Sequence, residues 1–221
     1  ESLLLNRRCL LNDLNPLCVL LAKVKTKKLD SNRMKEALNA VVERYRPLTV
    51  EEYDFVPVGL RNPDHYFLNE TSDSLRGLKY AISQEPDESL REFLLVAFLA
   101  CVRRVSRATT QQGRLFLDVA TAEPEALPFF VKRAEILING INNLPESGYT
   151  PEVENFDIKK GISGERKNTA SLVILHPPYF NSYKYSSVNS LELAWLGEDR
   201  KAFNKSEIRE FFKVGKAENA P

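Results

Sequence analysis

"RRCLLNDLNPLCVLLAKVKT", residues 7–26, is the stretch on which the reading of the fold turns. Its opening, Cys9 to Asn12, has the apolar content and short bounded length of a strand, and Asp13 makes the turn that follows acidic. Asn15 then offers a side-chain oxygen to the first free N–H groups of a helix, and Pro16 fits the first helical position, where a missing N–H costs nothing. Strand, turn and helix in twenty residues is the repeating unit of an α/β fold. It also sets a carboxylate, Asp13, at the carboxyl end of a strand, where open α/β sheets bind ligands.

A second strand end is spelled by "LVILHPPYFNSYKYSS", residues 172–187. Leu172 to Leu175 reads as a buried strand, and Pro177-Pro178 removes two successive backbone donors, so no ladder continues past His176. Tyr179, Phe180, Tyr183 and Tyr185 put flat rings on the stiff turn that results. Upstream, "EVENFDIKKG" reads as a further strand, and downstream Ser187 is placed to cap a helix that runs through Trp195 to Gly197.

Between these ends the pattern is helical. Met34, Ala37, Leu38, Val41, Val42 and Tyr45 recur at helix spacing, and Asp73 is placed to cap Leu75 to Ile82. A longer helix from Glu88 to Ser106 has a middle apolar enough to be buried on all sides. Leu127, Phe130, Val131, Ala134, Leu137, Ile138 and Ile141 spell one more amphipathic helix before Pro145. "RPLTVEEYDFVPVGLRNPDHYF" is irregular and rich in proline, and no repeat or low-complexity tract appears. Arg103, Arg104 and Arg107 read as a basic helix end that complements the helix dipole.

Composition limits the partners. A chain of 221 residues with net charge +1 buries a sizeable core but carries no overall basic field. Cys9, Cys18 and Cys101 lie in apolar stretches without CxxC spacing, which fits reduced thiols in a cytoplasmic protein and argues against a metal site. The longest apolar run, Phe93 to Val102, is about half a membrane span, and no signal peptide is recognisable.

"HPPYFNSYKYSSVNSLELAWLG" resembles the catalytic motif of the S-adenosylmethionine-dependent DNA amino-methyltransferases, in which Asp, Asn or Ser precedes Pro-Pro-Tyr or Pro-Pro-Phe. The segment "ESLLLNRRCLLNDLNPLCVLLAKVKT" is similar to the one after that family's glycine-rich cofactor loop. "HYFLNETSDSLRGLKYAI", with the helix ending "RRVSRAT", is similar to the helical insert of one subgroup. Four segments in the family's order cover nearly the whole chain, a far more specific signal than a lone Pro-Pro-Tyr.

The resemblance implies a Rossmann-like class I methyltransferase sheet, with residues 1–28 on the cofactor side, 29–122 a helical insertion, 123–200 the catalytic part and 201–221 a basic mobile tail. It implies S-adenosylmethionine as cofactor, held by Asp13, Asn15 and Asp157. Double-stranded DNA with a flipped base is the implied partner, with His176, Pro177, Pro178 and Tyr179 at the reacting amine and Asn181 and Tyr185 supporting Tyr179 on the substrate side. The family's first strand and glycine-rich loop would lie between the strands ending at Asp13 and His176. A complementary segment, in cis or in trans, is therefore expected to fill that slot, and further strands to follow Pro221.

An exocyclic base amine is a weak nucleophile because its lone pair is delocalised into the ring. Acceptors on its hydrogens localise that pair, while an aromatic side chain holds the flipped base. His176 departs from the pattern, because neutral imidazole offers one acceptor nitrogen where a carboxylate offers two oxygens, and imidazolium offers none. The expectations are therefore a DNA amino-methyltransferase of adenine N6 or cytosine N4, from restriction-modification or phage biology; a catalytically silent relative that binds DNA or a partner protein; or an RNA or protein amine methyltransferase.

Overall fold

The computed structural model describes residues 1–60, 62–111, 114–118, 125–160, 169–176 and 185–199. Strand β1, Leu10–Asn12, leads through the Asp13 turn into helix α1, Pro16–Thr26. Asn15 caps α1 as its sequence predicts, its Oδ1 accepting the Leu17 N–H at 3.0 Å. Helix α2, Ser31–Arg44, is capped by Asp30 and buries Met34, Ala37, Leu38 and Val41, while Val42 is 37% exposed at the stripe's margin. A short helix α3, Pro63–Tyr66, interrupts the proline-rich connection.

Helix α4 runs over Asn69–Ser83 and so begins more than a turn before the expected Asp73 cap. Burial of Ser72 on the face that also carries Leu75 and Leu78 draws the extra turn into the helix. Asp73, inside it, pairs instead with Arg76 at 2.5 Å. Gly77 allows the close approach of α4 to the Arg46–Pro47 backbone, where a Cβ would collide with the Arg46 carbonyl.

Helix α5, Glu88–Arg104, is the hub. Val96, Ala97, Phe98 and Leu99 are buried in succession, and residues about 100° apart on a helix can all be buried only if neighbours surround it. Those neighbours are α1, α2, α4, the helix α6, Ala126–Asn142, and the helix α8, Ser190–Leu196. The segment expected as an insertion thus shares one core with α1, α6 and α8, in which Trp195 meets the rings of Phe55, Phe67 and Phe98. Each fully buried large side chain there contributes about 1.5–3 kcal/mol. Lys79 ties down the end of α8, its Nζ donating to the Trp195 carbonyl at 2.8 Å and lying 4.4 Å from the centre of the Phe55 ring; burial pulls its pKa to about 8.

Two small sheets complete the described structure. Strand β4, Glu152–Glu154, pairs in parallel with β1, Leu10 opposite Glu152 and Asn12 opposite Glu154. Strands β2, Ala108–Gln111, and β3, Arg114–Leu117, form an antiparallel hairpin in a region read from the sequence as the continuation of a helical segment. This mixed α/β architecture with a small parallel sheet is compatible with a methyltransferase-like fold.

Three further expectations are corrected. Leu172 to Leu175 is not a buried strand: these residues join no ladder and are 76, 65, 84 and 69% exposed. A strand exists only through its neighbours, and the described residues set none beside this run. The helix after the Pro-Pro motif begins before Ser187 and is split at Asn189 into α7, Tyr185–Val188, and α8, which ends at Gly197 with φ 97°. The opening ESLLLNRR, which reads from its sequence as part of a helix, instead forms hydrogen-bonded turns with Asn6 at φ 49°. Residues 201–221 lie outside the described residues.

Candidate active site at the strand ends

Because β1 and β4 run in parallel, the residues that follow them emerge at one end of the sheet. The Asp13 N–H reaches the Glu154 carbonyl at 3.4 Å, which carries the pairing one residue past the strands. Asparagines then fasten the two turns together. Asn12 and Phe156 exchange bonds, Asn12 Nδ2 to the Phe156 carbonyl at 3.2 Å and the Phe156 N–H to Asn12 Oδ1 at 3.0 Å. The Asn155 amide donates to the carbonyls of Asp13 and Leu14 at 2.8 and 3.0 Å. Neither asparagine was singled out from the sequence; Asn12, directly after Leu10 and Leu11, carries the signal that would have found it, whereas Asn155 follows Glu154 and carries none.

Asp13 is exposed at this rim, with Oδ1 accepting the Asn15 N–H at 2.8 Å. Asn15 is 2% exposed, and its Nδ2 has no hydrogen-bond partner among the described residues. The Cys18 thiol, one helical turn on, is pushed up to about 12 by burial first, then by the Asp13 charge and a hydrogen bond to that carboxylate. Asp157 follows β4, and its carbonyl accepts the Lys160 N–H at 2.9 Å to open the 3-10 turn Ile158–Lys160. Asp13 and Asn15 thus follow the end of β1, and Asp157 stands three residues past the end of β4.

His176 ends the exposed run 172–175, and Tyr185 is the first residue of α7, 39% exposed. Both belong to a segment separate from the β1–β4 ladder. Pro177, Pro178, Tyr179 and Asn181 lie outside the described residues. Sequence reasoning also missed what holds α7 and α8: Arg103 Nε and Nη2 donate to Glu192 Oε1 and Oε2 at 2.5 and 2.8 Å, and Nη2 also donates to the Val188 carbonyl. Among the described residues no group of three His, Cys, Asp or Glu side chains could hold a metal ion, and no helix is long and apolar enough to cross a membrane.

No protein-family model matches the chain, and no solved structure matches it significantly. It is similar to the Type II methyltransferase M.MvaI of Kocuria varians, 23% identical over 223 residues, a match that covers 91% of this chain and 48% of that protein. The chain thus spans about half the length of the curated relative it matches.

Proposed function

We propose that this chain carries the cofactor-side and catalytic segments of an S-adenosylmethionine-dependent methyltransferase acting on the exocyclic amine of a DNA base, adenine N6 or cytosine N4. The observation that carries the reading is the pair of parallel strand ends: an exposed carboxylate, Asp13, directly after β1, and a second acid, Asp157, three residues past the end of the adjacent strand β4. It lies in the same chain as a His-Pro-Pro-Tyr motif, and the likeness to M.MvaI supports the pairing.

The residues present fit the cofactor. A carboxylate at a strand end accepts both hydroxyls of a ribose, and the buried, unpartnered Asn15 Nδ2 leaves a donor beneath the same turn. When bound, S-adenosylmethionine supplies an electrophilic methyl group. This chain's part is to hold Asp13 toward the ribose and Asp157 toward the adenine, to accept the hydrogens of the target amine at His176 and the Pro177 carbonyl, and to stack Tyr179 on the flipped base. Asn181 and Tyr185 brace that loop. The exposed apolar run 172–175 supports a complementary strand, in cis or in trans, paired beside it.

His176 favours a second reading, a silent methyltransferase-like subunit that binds DNA or a partner protein, because imidazole cannot offer two acceptors to one amine. The two are separated by transfer of labelled methyl groups from S-adenosylmethionine to mixed-sequence duplex DNA by the full-length protein. Low wild-type incorporation that rises at least about tenfold in His176→Asp or His176→Ser supports a methyltransferase hampered at this position. Robust wild-type turnover that either substitution abolishes makes His176 a working group and removes the silent reading. No incorporation by all three proteins, with the cofactor still bound, removes the enzyme reading.

A further inference from the structure

The parallel strand pair is short for the task of aiming a carboxylate. β1 and β4 have three residues each, and the last main-chain bond between them, from the Asp13 N–H to the Glu154 carbonyl, is long at 3.4 Å. Beyond that bond the two turns are joined by side chains. At Asn12 both ends of the amide are used, Nδ2 donating to the Phe156 carbonyl and Oδ1 accepting the Phe156 N–H. A side chain that gives a bond to and takes a bond from one residue's main chain reproduces a rung of a ladder, here where the main chain stops pairing.

Asn155 acts from the other turn. It is exposed, yet its Nδ2 is committed to two protein carbonyls, Asp13 at 2.8 Å and Leu14 at 3.0 Å. Together with the Asp13 N–H on Glu154, these bonds tie three successive peptide groups around Asp13 to β4 and the residue after it. Helix α1 has no need of them. Asn15 Oδ1 already caps its first turn at the Leu17 N–H, and Asp13 Oδ1 accepts the Asn15 N–H. What Asn155 adds is the placement of Asp13 relative to β4, and so to the turn that leads to Asp157.

An exposed carboxylate is not located by packing, whereas two-point acceptance of a ribose demands that it stand within about 0.5 Å of its place. We infer that Asn155 and Asn12 are positioning residues for the cofactor's nucleoside, holding the Asp13 turn where its carboxylate meets the ribose hydroxyls. The inference rests on the methyltransferase reading of the strand ends and adds to it the side chains that aim Asp13.

Calorimetry of the full-length protein with S-adenosylhomocysteine tests it, each variant being checked for folding by a thermal melt. Asn155→Ala and Asn12→Ala should each raise Kd about fivefold. Asp13→Ala raises it by at least about tenfold, and because Asn155 acts through that residue, Asp13→Ala/Asn155→Ala should lie within about twofold of Asp13→Ala alone. Asn6 supplies the control. It ties the segments that precede the same two strands, its Oδ1 accepting the Gly148 N–H at 2.7 Å and the Ser147 hydroxyl at 3.2 Å. Asn6→Gly removes those bonds, tolerates the positive φ there, and should change Kd less than about twofold. If Asn155→Ala does not melt cooperatively, Asn155→Ser, too short to span both carbonyls, takes its place in the cycle. Losses that multiply in the double variant, or an Asp13 or Asn155 variant that binds as tightly as wild type, overturn the positioning role and leave the methyltransferase reading standing. A folded wild-type protein that binds no S-adenosylhomocysteine overturns both.

Discussion

Asp13 does two jobs that a single substitution separates. Its Oδ1 holds the Asn15 N–H, and its charge helps keep the Cys18 thiol protonated. Asp13→Ala in the full-length protein should weaken S-adenosylmethionine binding by at least about tenfold in calorimetry, at a stability cost of only about 1 kcal/mol for the lost turn bond. Unchanged affinity in the folded variant removes Asp13 from the site. The same substitution lowers the Cys18 pKa, because it takes away a negative charge and a hydrogen bond that favour the thiol. Alkylation of Cys18 at pH 8, followed by mass spectrometry, should therefore be faster in Asp13→Ala than in wild type. Burial, the larger cause of the shift, persists, so the rate stays below that of a free thiol. Asp13 and Asn15 were legible in the sequence because strand end, turn and cap are decided within a few residues. Asn155 was not, since its partners lie 142 and 141 positions away.

At the scale of elements, the junction of α5 with α7 and α8 depends on a partly buried ion pair. Arg103 and Glu192 have side chains 28% and 10% exposed, and Arg103 reaches both carboxylate oxygens. Arg103→Met leaves Glu192 without its cation and should cost about 3 kcal/mol in urea unfolding, whereas Arg103→Met/Glu192→Met should recover most of that loss. A double variant as unstable as the single one means that the pair's value lies in geometry that apolar packing cannot replace. The sequence marked α5, α6 and α1 clearly, because long apolar stripes and caps are local signals. It did not mark the hairpin, because "RATTQQGRLFL" has polar residues on one strand and a turn whose pairing is visible only once both strands are placed.

For the molecule as a whole, the exposed run Leu172 to Leu175 is the feature most at odds with a closed surface. Four successive large apolar residues, outside any ladder among the described residues, offer apolar area to a partner strand. Residues 1–221 alone should self-associate as concentration rises in sedimentation velocity, and Val173→Lys/Ile174→Lys should shift the species toward monomer. A wild-type chain that stays monomeric at about 100 μM shows that the run needs no cover. By itself the sequence determined what lies within reach of local chemistry: the Asn15 cap, the helical stripes and the strand-turn-helix unit at Asp13. Only the tertiary structure decided that Asp13 and Asp157 share an edge, that α5 is enclosed, that Arg103 serves Glu192, and that the apolar run 172–175 lies open. A strand or a buried helix is stabilised by neighbours distant in the chain, and hydrophobic periodicity shows that a neighbour is wanted without showing which segment supplies it.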